Sequence, residues 1–123
     1  MKALLVVFVG GGLGSVIRYL ISFFSLKYLE SSHLPLATFI SNAMACLVLG
    51  LSLYYIHSKF ESESLKLFLA VGFCGGLSTF STFSLETFAL VKEGMIGLAI
   101  LNVILSLVVG ISAIFVLYTN STN

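Results

Sequence analysis

Four apolar stretches dominate this chain, at about residues 3 to 26, 36 to 56, 65 to 91 and 95 to 118. Each comes close to the ~20 residues that an α-helix needs to cross a hydrocarbon core. Between them lie only KYLESSHLP, HSKFESES and KEG, and the short polar stretch TNSTN follows the fourth. None of these connections can hold a domain, so residues 1–123 read as a single four-helix transmembrane domain. Backbone polar groups in lipid are satisfied only by helices or closed barrels, and these runs lack the alternation of a barrel strand, so the fold class is an all-α membrane protein. The opening MKALLVVFVGGGLGS resembles a secretion signal, but its apolar character continues past Arg18 to about Phe24, which predicts a span rather than a cleaved leader. With 59% hydrophobic and 9% charged residues in 123, the chain is too apolar to hide its side chains in a water-soluble core.

Charge excludes one class of partner and raises a question of orientation. A formal net charge of +1 with no clustered Lys or Arg gives no footprint for nucleic acid. Four spans predict that both termini share one side. That side carries Lys2, Lys59 and Lys66 near span ends, and the other carries Lys27 and Lys92. The positive-inside rule orients helical membrane proteins by such differences, and this one is small. Two readings stay open: a weak bias that still suffices, or insertion in both orientations with assembly as an antiparallel homodimer, which is the expectation adopted. Cys46 and Cys74 sit in apolar stretches, without the spacing of a metal site or a disulfide framework, and read as buried thiols.

The polar residues inside the spans carry what chemistry there is. GGGLGS at residues 10–15 approaches a dinucleotide-binding pattern, but no strand precedes it. Gly10 and Gly14 instead form the small-xxx-small spacing that lets membrane helices approach closely. Arg18, a cation within the first span, either snorkels to the interface or supplies positive charge at a vestibule that concentrates anions. Thr38 and Asn42 share a helical face, as do Asn102, Ser106 and Gly110, at steps of four. One polar face is explained by hydrogen bonding between helices; two suggest a pathway.

The third span contains its own breaker, GFCGGLSTFSTFSLETF at residues 72–88. Gly72, Gly75 and Gly76, followed by Ser78, Thr79, Ser81 and Thr82, weaken the helix and predict a broken third span. Irregular backbone at membrane depth is tolerated only where protein, water or an ion satisfies it. Phe80 and Phe83 follow at i,i+3, and an aromatic ring edge is electropositive enough to meet an anion. Glu86 is an intramembrane acid, open to two readings: a role in ion transfer, or pairing with Arg18. No Walker motif, catalytic triad or metal-ligand cluster is present in the sequence, so the chain reads as no enzyme and any transport as passive.

GFCGGLSTFSTFS, with GGGLGSVIRY and TFISN, closely resembles the small bacterial fluoride channels of the Fluc, or CrcB, family, and the resemblance covers essentially the whole chain. It implies a passive fluoride channel in the inner (plasma) membrane, built as an antiparallel dimer with two pores and a central structural sodium ion. By motif, Phe80 and Phe83 look like the family's ring-edge residues and Asn42 like its pore-facing amide. Ser81, Thr82 and Ser106 look like parts of its polar track. The backbone carbonyls of Gly75 and Ser78 look like the sodium ligands. Arg18, Thr38 and Glu86 stand as vestibule or auxiliary residues. Two departures are visible: Asn102 where the family often has Tyr, and Gly110 where a Ser can extend the track. The competing reading is a dual-topology, proton-coupled exporter of cationic drugs with Glu86 as its carboxylate; a third is an assembly subunit whose polar faces are only glue.

Overall fold

The computed structural model describes residues 1–28, 34–58 and 62–119; Lys59, one of the basic residues counted above, lies outside them. Helix α1 spans Lys2–Tyr28 and α2 spans Leu36–Ser58. The third membrane-length segment is composite. It runs from α3 (Glu63–Lys66) through a π-helical stretch, Leu67–Phe73, into α4 (Cys74–Leu77), and then resumes as α5 (Phe80–Lys92). Helix α6 covers Ile96–Thr119. No strand occurs among the described residues, and four segments are long and apolar enough to cross a membrane: Lys2–Lys27, Leu36–Tyr54, Glu63–Lys92 and Ile96–Thr119. The expectation of an all-α chain with four spans therefore holds.

The distribution of side chains is inverted relative to a water-soluble bundle. Leu4, Phe8, Phe80, Leu85 and Phe115 are exposed, while Thr38, Ser41, Ser52, Thr79 and Asn102 are buried. Lipid tails give no hydrophobic drive between helices, so small and polar residues collect at their contacts and large apolar ones face outward. Ser41 and Ser52 each return their hydroxyl to the carbonyl four residues back, on Ala37 at 2.9 Å and Val48 at 2.6 Å, which satisfies them within α2.

Two glycine contacts position the third segment. A Cβ on Gly14 would run into the carbonyl of Phe73, and one on Gly10 would lie 2.5 Å from the carbonyl of Phe68. A Cβ on Gly76 would likewise collide with the carbonyl of Gly11. Backbone thus meets backbone along the seam between α1 and the π-helical and α4 stretches, the contact that the spacing of Gly10 and Gly14 predicts. The π-helical turn widens the helix there, with the Cys74 N–H donating to Leu69, five residues back.

KEG closes α5 with a Schellman arrangement. Met95 N–H reaches Leu90 O at 2.9 Å and Gly94 N–H reaches Val91 O at 3.0 Å, with Gly94 at φ 78°, a left-handed conformation that glycine adopts without a Cβ penalty. Helix α6 then returns antiparallel and packs most extensively on α2, where Gly50 meets Leu117 and Gly110 meets Cys46.

Candidate functional site

Two residues of extended backbone, Ser78 (φ −80°, ψ 156°) and Thr79 (φ −150°, ψ 116°), separate α4 from α5. Their hydrogen bonds explain how the chain tolerates this. Ser78 still looks backward: its N–H and its hydroxyl both donate to Cys74 O, at 2.9 and 2.8 Å. Thr79 looks sideways. Its N–H donates to Asn42 Oδ1 at 2.8 Å, and its carbonyl accepts a longer bond from Asn42 Nδ2 at 3.4 Å. The Thr79 hydroxyl then caps α5, accepting from Thr82 N–H at 3.2 Å and donating to Thr82 Oγ1 at 3.0 Å.

The diverted donors leave specific carbonyls behind. In a continuing helix Thr79 N–H would serve Gly75 O, and Thr82 N–H would serve Ser78 O. Asn42 takes the first donor and the Thr79 cap takes the second. Gly76 O, in contrast, accepts a weak bond from the Ser15 hydroxyl at 3.5 Å. The space beside Gly75 is open, with nothing within 4 Å of where its Cβ would be.

Two cavities flank the Ser78–Thr79 link, and Thr79 lines both. One, of about 270 Å³, is lined by Asn42, Cys46, Ser78, Thr79, Phe80, Phe83, Ser106 and Leu107. The other, of about 210 Å³, is lined by Ser15, Arg18, Tyr19, Ser22, Thr79 and Thr82. In the first, the Phe80 and Phe83 rings lie 6.3 Å apart at 36° and add apolar walls with electropositive edges. Ser106 Oγ there is inaccessible to solvent and has no hydrogen-bond partner. A buried hydroxyl in that state costs free energy until a small side-chain movement gives it a partner.

The structure sorts the residues singled out from sequence. Asn42, Phe80, Phe83 and Ser106 come together in the first cavity, beside the backbone of Ser78. Thr82 lies at the second cavity with Arg18. Ser81 lines neither; it is exposed, with its hydroxyl 3.3 Å from that of Thr79. Thr38 and Glu86 find each other, Thr38 Oγ1 donating to Glu86 Oε1 at 2.9 Å, while Glu86 Oε2 is buried without a partner. The suggested pairing of Glu86 with Arg18 does not occur, because Glu86 faces α2 and Arg18 faces the hydroxyls around Thr79. Asn102 is engaged too: its Nδ2 donates to Thr87 Oγ1 at 3.0 Å and ties α6 to α5.

Thr79 is the residue that sequence reasoning undervalued. Its signal was local: a hydroxyl residue after a glycine pair and three before another Thr is a helix N-cap position. Cys46 and Ser15 had no such signal, since only packing brings them to the cavities. Among the described residues no group of three or more His, Cys, Asp and Glu side chains gathers to hold a metal ion.

Comparison with known proteins adds an independent finding. The family model described as "CrcB-like protein, Camphor Resistance (CrcB)" matches residues 5–118. A protein of Pyrococcus abyssi named "Fluoride-specific ion channel FluC" is 43% identical over 116 residues, 94% of this chain and 92% of its own. Proteins of the same name from Flavobacterium psychrophilum and Clostridium perfringens are 41% and 43% identical, covering 92% and 91% of this chain and 91% and 86% of their own lengths.

Proposed function

This chain belongs to the CrcB family, and from that premise we propose that it is a passive, fluoride-selective ion channel rather than an enzyme, a multi-pass protein of the bacterial plasma membrane. The observation that carries the reading is the cavity beside the Ser78–Thr79 link, which Asn42, Phe80, Phe83 and Ser106 line together. A small anion gives up much hydration on entering protein and needs several donors in exchange. The second Asn42 amide hydrogen and the two ring edges are donors of suitable kind, and the Ser106 hydroxyl joins them if its side chain turns toward the cavity. A larger halide needs fewer donors but more room, so a confined, donor-lined route favours the smaller ion. We read the link as the break of a broken third membrane span.

The working unit in this reading is an antiparallel homodimer with two pores. Phe80, which lines the cavity, is 81% exposed in the single chain, and in this reading the second copy rather than lipid covers it. A central sodium ion fits the donor set: Gly75 O and Ser78 O have both lost their helical N–H donors, and the flank of Gly75 is open. Two such carbonyls from each of two chains would hold the ion with hard, neutral oxygens, which suit an alkali cation better than a soft metal. Bound there, sodium would neutralise the carbonyl dipoles left by the helix interruption.

Purified protein in liposomes tests the reading directly. Fluoride should leave down its gradient without ATP or a proton gradient, with chloride far slower. Phe80→Ile or Phe83→Ile should reduce that flux severely, because Ile keeps apolar bulk but has no electropositive ring edge. Equal chloride flux would remove the selectivity claim, and a strict need for a proton gradient would return the drug-exporter reading.

A further inference from the structure

Helix α5 is tethered unequally to its two neighbours. Asn42 with Thr79, at its start, and Thr38 with Glu86, further along, both tie it to α2. Toward α6, the bond from Asn102 Nδ2 to Thr87 Oγ1, at 3.0 Å, is the one side-chain hydrogen bond among the described residues. Packing adds little, since Leu90 is the one buried residue of α5. Two tethers to one neighbour define a line about which a helix can swing, and a third tether off that line fixes the angle. The cavity of about 270 Å³ lies between these three helices: α2 supplies Asn42 and Cys46, α5 supplies Phe80 and Phe83, and α6 supplies Ser106 and Leu107. Thr87 follows Phe83 by four residues and Asn102 precedes Ser106 by four, so the bond is a rung one helical turn from the cavity, between it and the turn at Gly94 that joins the two helices. Asn102 is itself only 4% exposed. It also borders a cavity of about 50 Å³ whose remaining lining, Leu34, Pro35, Leu36, Phe39 and Leu105, brings no polar side chain, which leaves Thr87 as the side-chain partner of its amide.

We propose that Asn102 is a positioning residue for ion selectivity: through Thr87 it fixes how far α5 stands from α6, and with it the width of the cavity between Phe83 and the α6 wall. The proposal rests on the functional reading above and deepens it. Discrimination by size needs a wall that does not yield, because a larger halide requires less compensation for lost hydration but more room. Without the rung, the two bonds to α2 still hold α5 in place, so the Asn42 amide and the ring edges stay available to fluoride. The α6 side is then free to open. Loss of the rung therefore costs discrimination before it costs conduction.

Fluoride and chloride efflux are measured separately from liposomes holding wild type, Thr87→Val, Asn102→Leu, the double variant Asn102→Leu with Thr87→Val, and Thr87→Ser. The double variant is the decisive one. It replaces both partners by apolar groups of similar shape, a change that is nearly neutral for stability, whereas each single change leaves one buried polar group unmatched. In all three variants that lack the bond, the chloride-to-fluoride flux ratio should rise roughly tenfold or more, the scale on which the fit of a pocket discriminates. The double variant should match the singles rather than multiply their effects, since either change already removes the same bond. Thr87→Ser keeps the hydroxyl and should keep the wild-type ratio. An unchanged ratio in the double variant overturns the proposal, as does an equal loss of both fluxes. Effects that multiply in the double variant overturn it too, by giving Asn102 and Thr87 separate roles. Failure of the double variant to assemble would make the bond a requirement of folding and likewise overturn it. Absence of fluoride flux from wild type is a different result: it removes the functional reading, and this proposal with it.

Discussion

The two parts of the third segment, on either side of Ser78 and Thr79, are held by different means. The first part lies against α1 backbone to backbone, with Gly72, Cys74 and Leu77 buried and glycines on both sides of the seam. The second part, α5, has one buried residue, Leu90, and leaves Phe80, Leu85 and Phe88 exposed. What attaches α5 to its neighbours is side-chain hydrogen bonding: Asn42 with Thr79, Thr38 with Glu86, and Asn102 with Thr87. Close backbone contact leaves no freedom for a ligand, whereas a helix tethered by a few polar groups can leave cavities beside it. The candidate ion route lies along the second kind of contact.

Breaking the seam should have the largest effect. Gly14→Ile places a branched side chain against the carbonyl of Phe73 and the backbone of Gly76 and Leu77, none of which can move as a side chain end would. Overpacking against side chains typically costs about 1–3 kcal/mol, and against fixed backbone more, so this variant should lose the proposed dimer on size-exclusion chromatography and all flux. A native elution profile with ordinary flux would show that the glycine seam is not what anchors the third segment.

Asn42→Asp attacks the other kind of contact and should be intermediate. Thr79 N–H keeps an acceptor, but the donor to Thr79 O is lost and a carboxylate enters the cavity proposed to take an anion. Leaving a buried polar group unmatched costs about 1–3 kcal/mol, so the protein should still assemble, with a lower melting temperature and fluoride flux strongly reduced. Wild-type flux in this variant would take Asn42 out of the pathway and leave it as a clamp alone.

Ser78→Ala should have the smallest effect. The hydroxyl returns to Cys74 O, which already accepts the Ser78 N–H, and the proposed sodium contact is made by the backbone carbonyl. Flux should change less than twofold, a shift below about 0.4 kcal/mol. A severe loss of flux would show that the Ser78 side chain, and not only its carbonyl, is needed at the link.

Much of this was legible in the residues, for reasons that are local. Four apolar runs of membrane length dictate four helices, because lipid leaves the backbone no other partner. KEG encodes its own helix end, since Gly94 is the residue that accepts a left-handed turn there. The spacing of Gly10 and Gly14 encodes a close approach, though not to which helix. Phe80, Phe83, Asn42 and Ser106 were named from their faces and their motif, and they converge.

What only the tertiary structure decided is which polar groups meet. Ser81 and Thr82 are adjacent in sequence, yet one is exposed and the other lines the cavity of Arg18, because neighbouring helical residues point about 100° apart. Glu86 had two readings in sequence, and the packing of α5 on α2 gave it Thr38. Cys46 read only as a thiol in an apolar stretch, and packing set it against Gly110 of α6. The physical reason is common to all three. Periodicity states which residues share a face of one helix, but the partner across the face depends on the register and rotation of another helix, which hydrocarbon-like side chains alone do not specify.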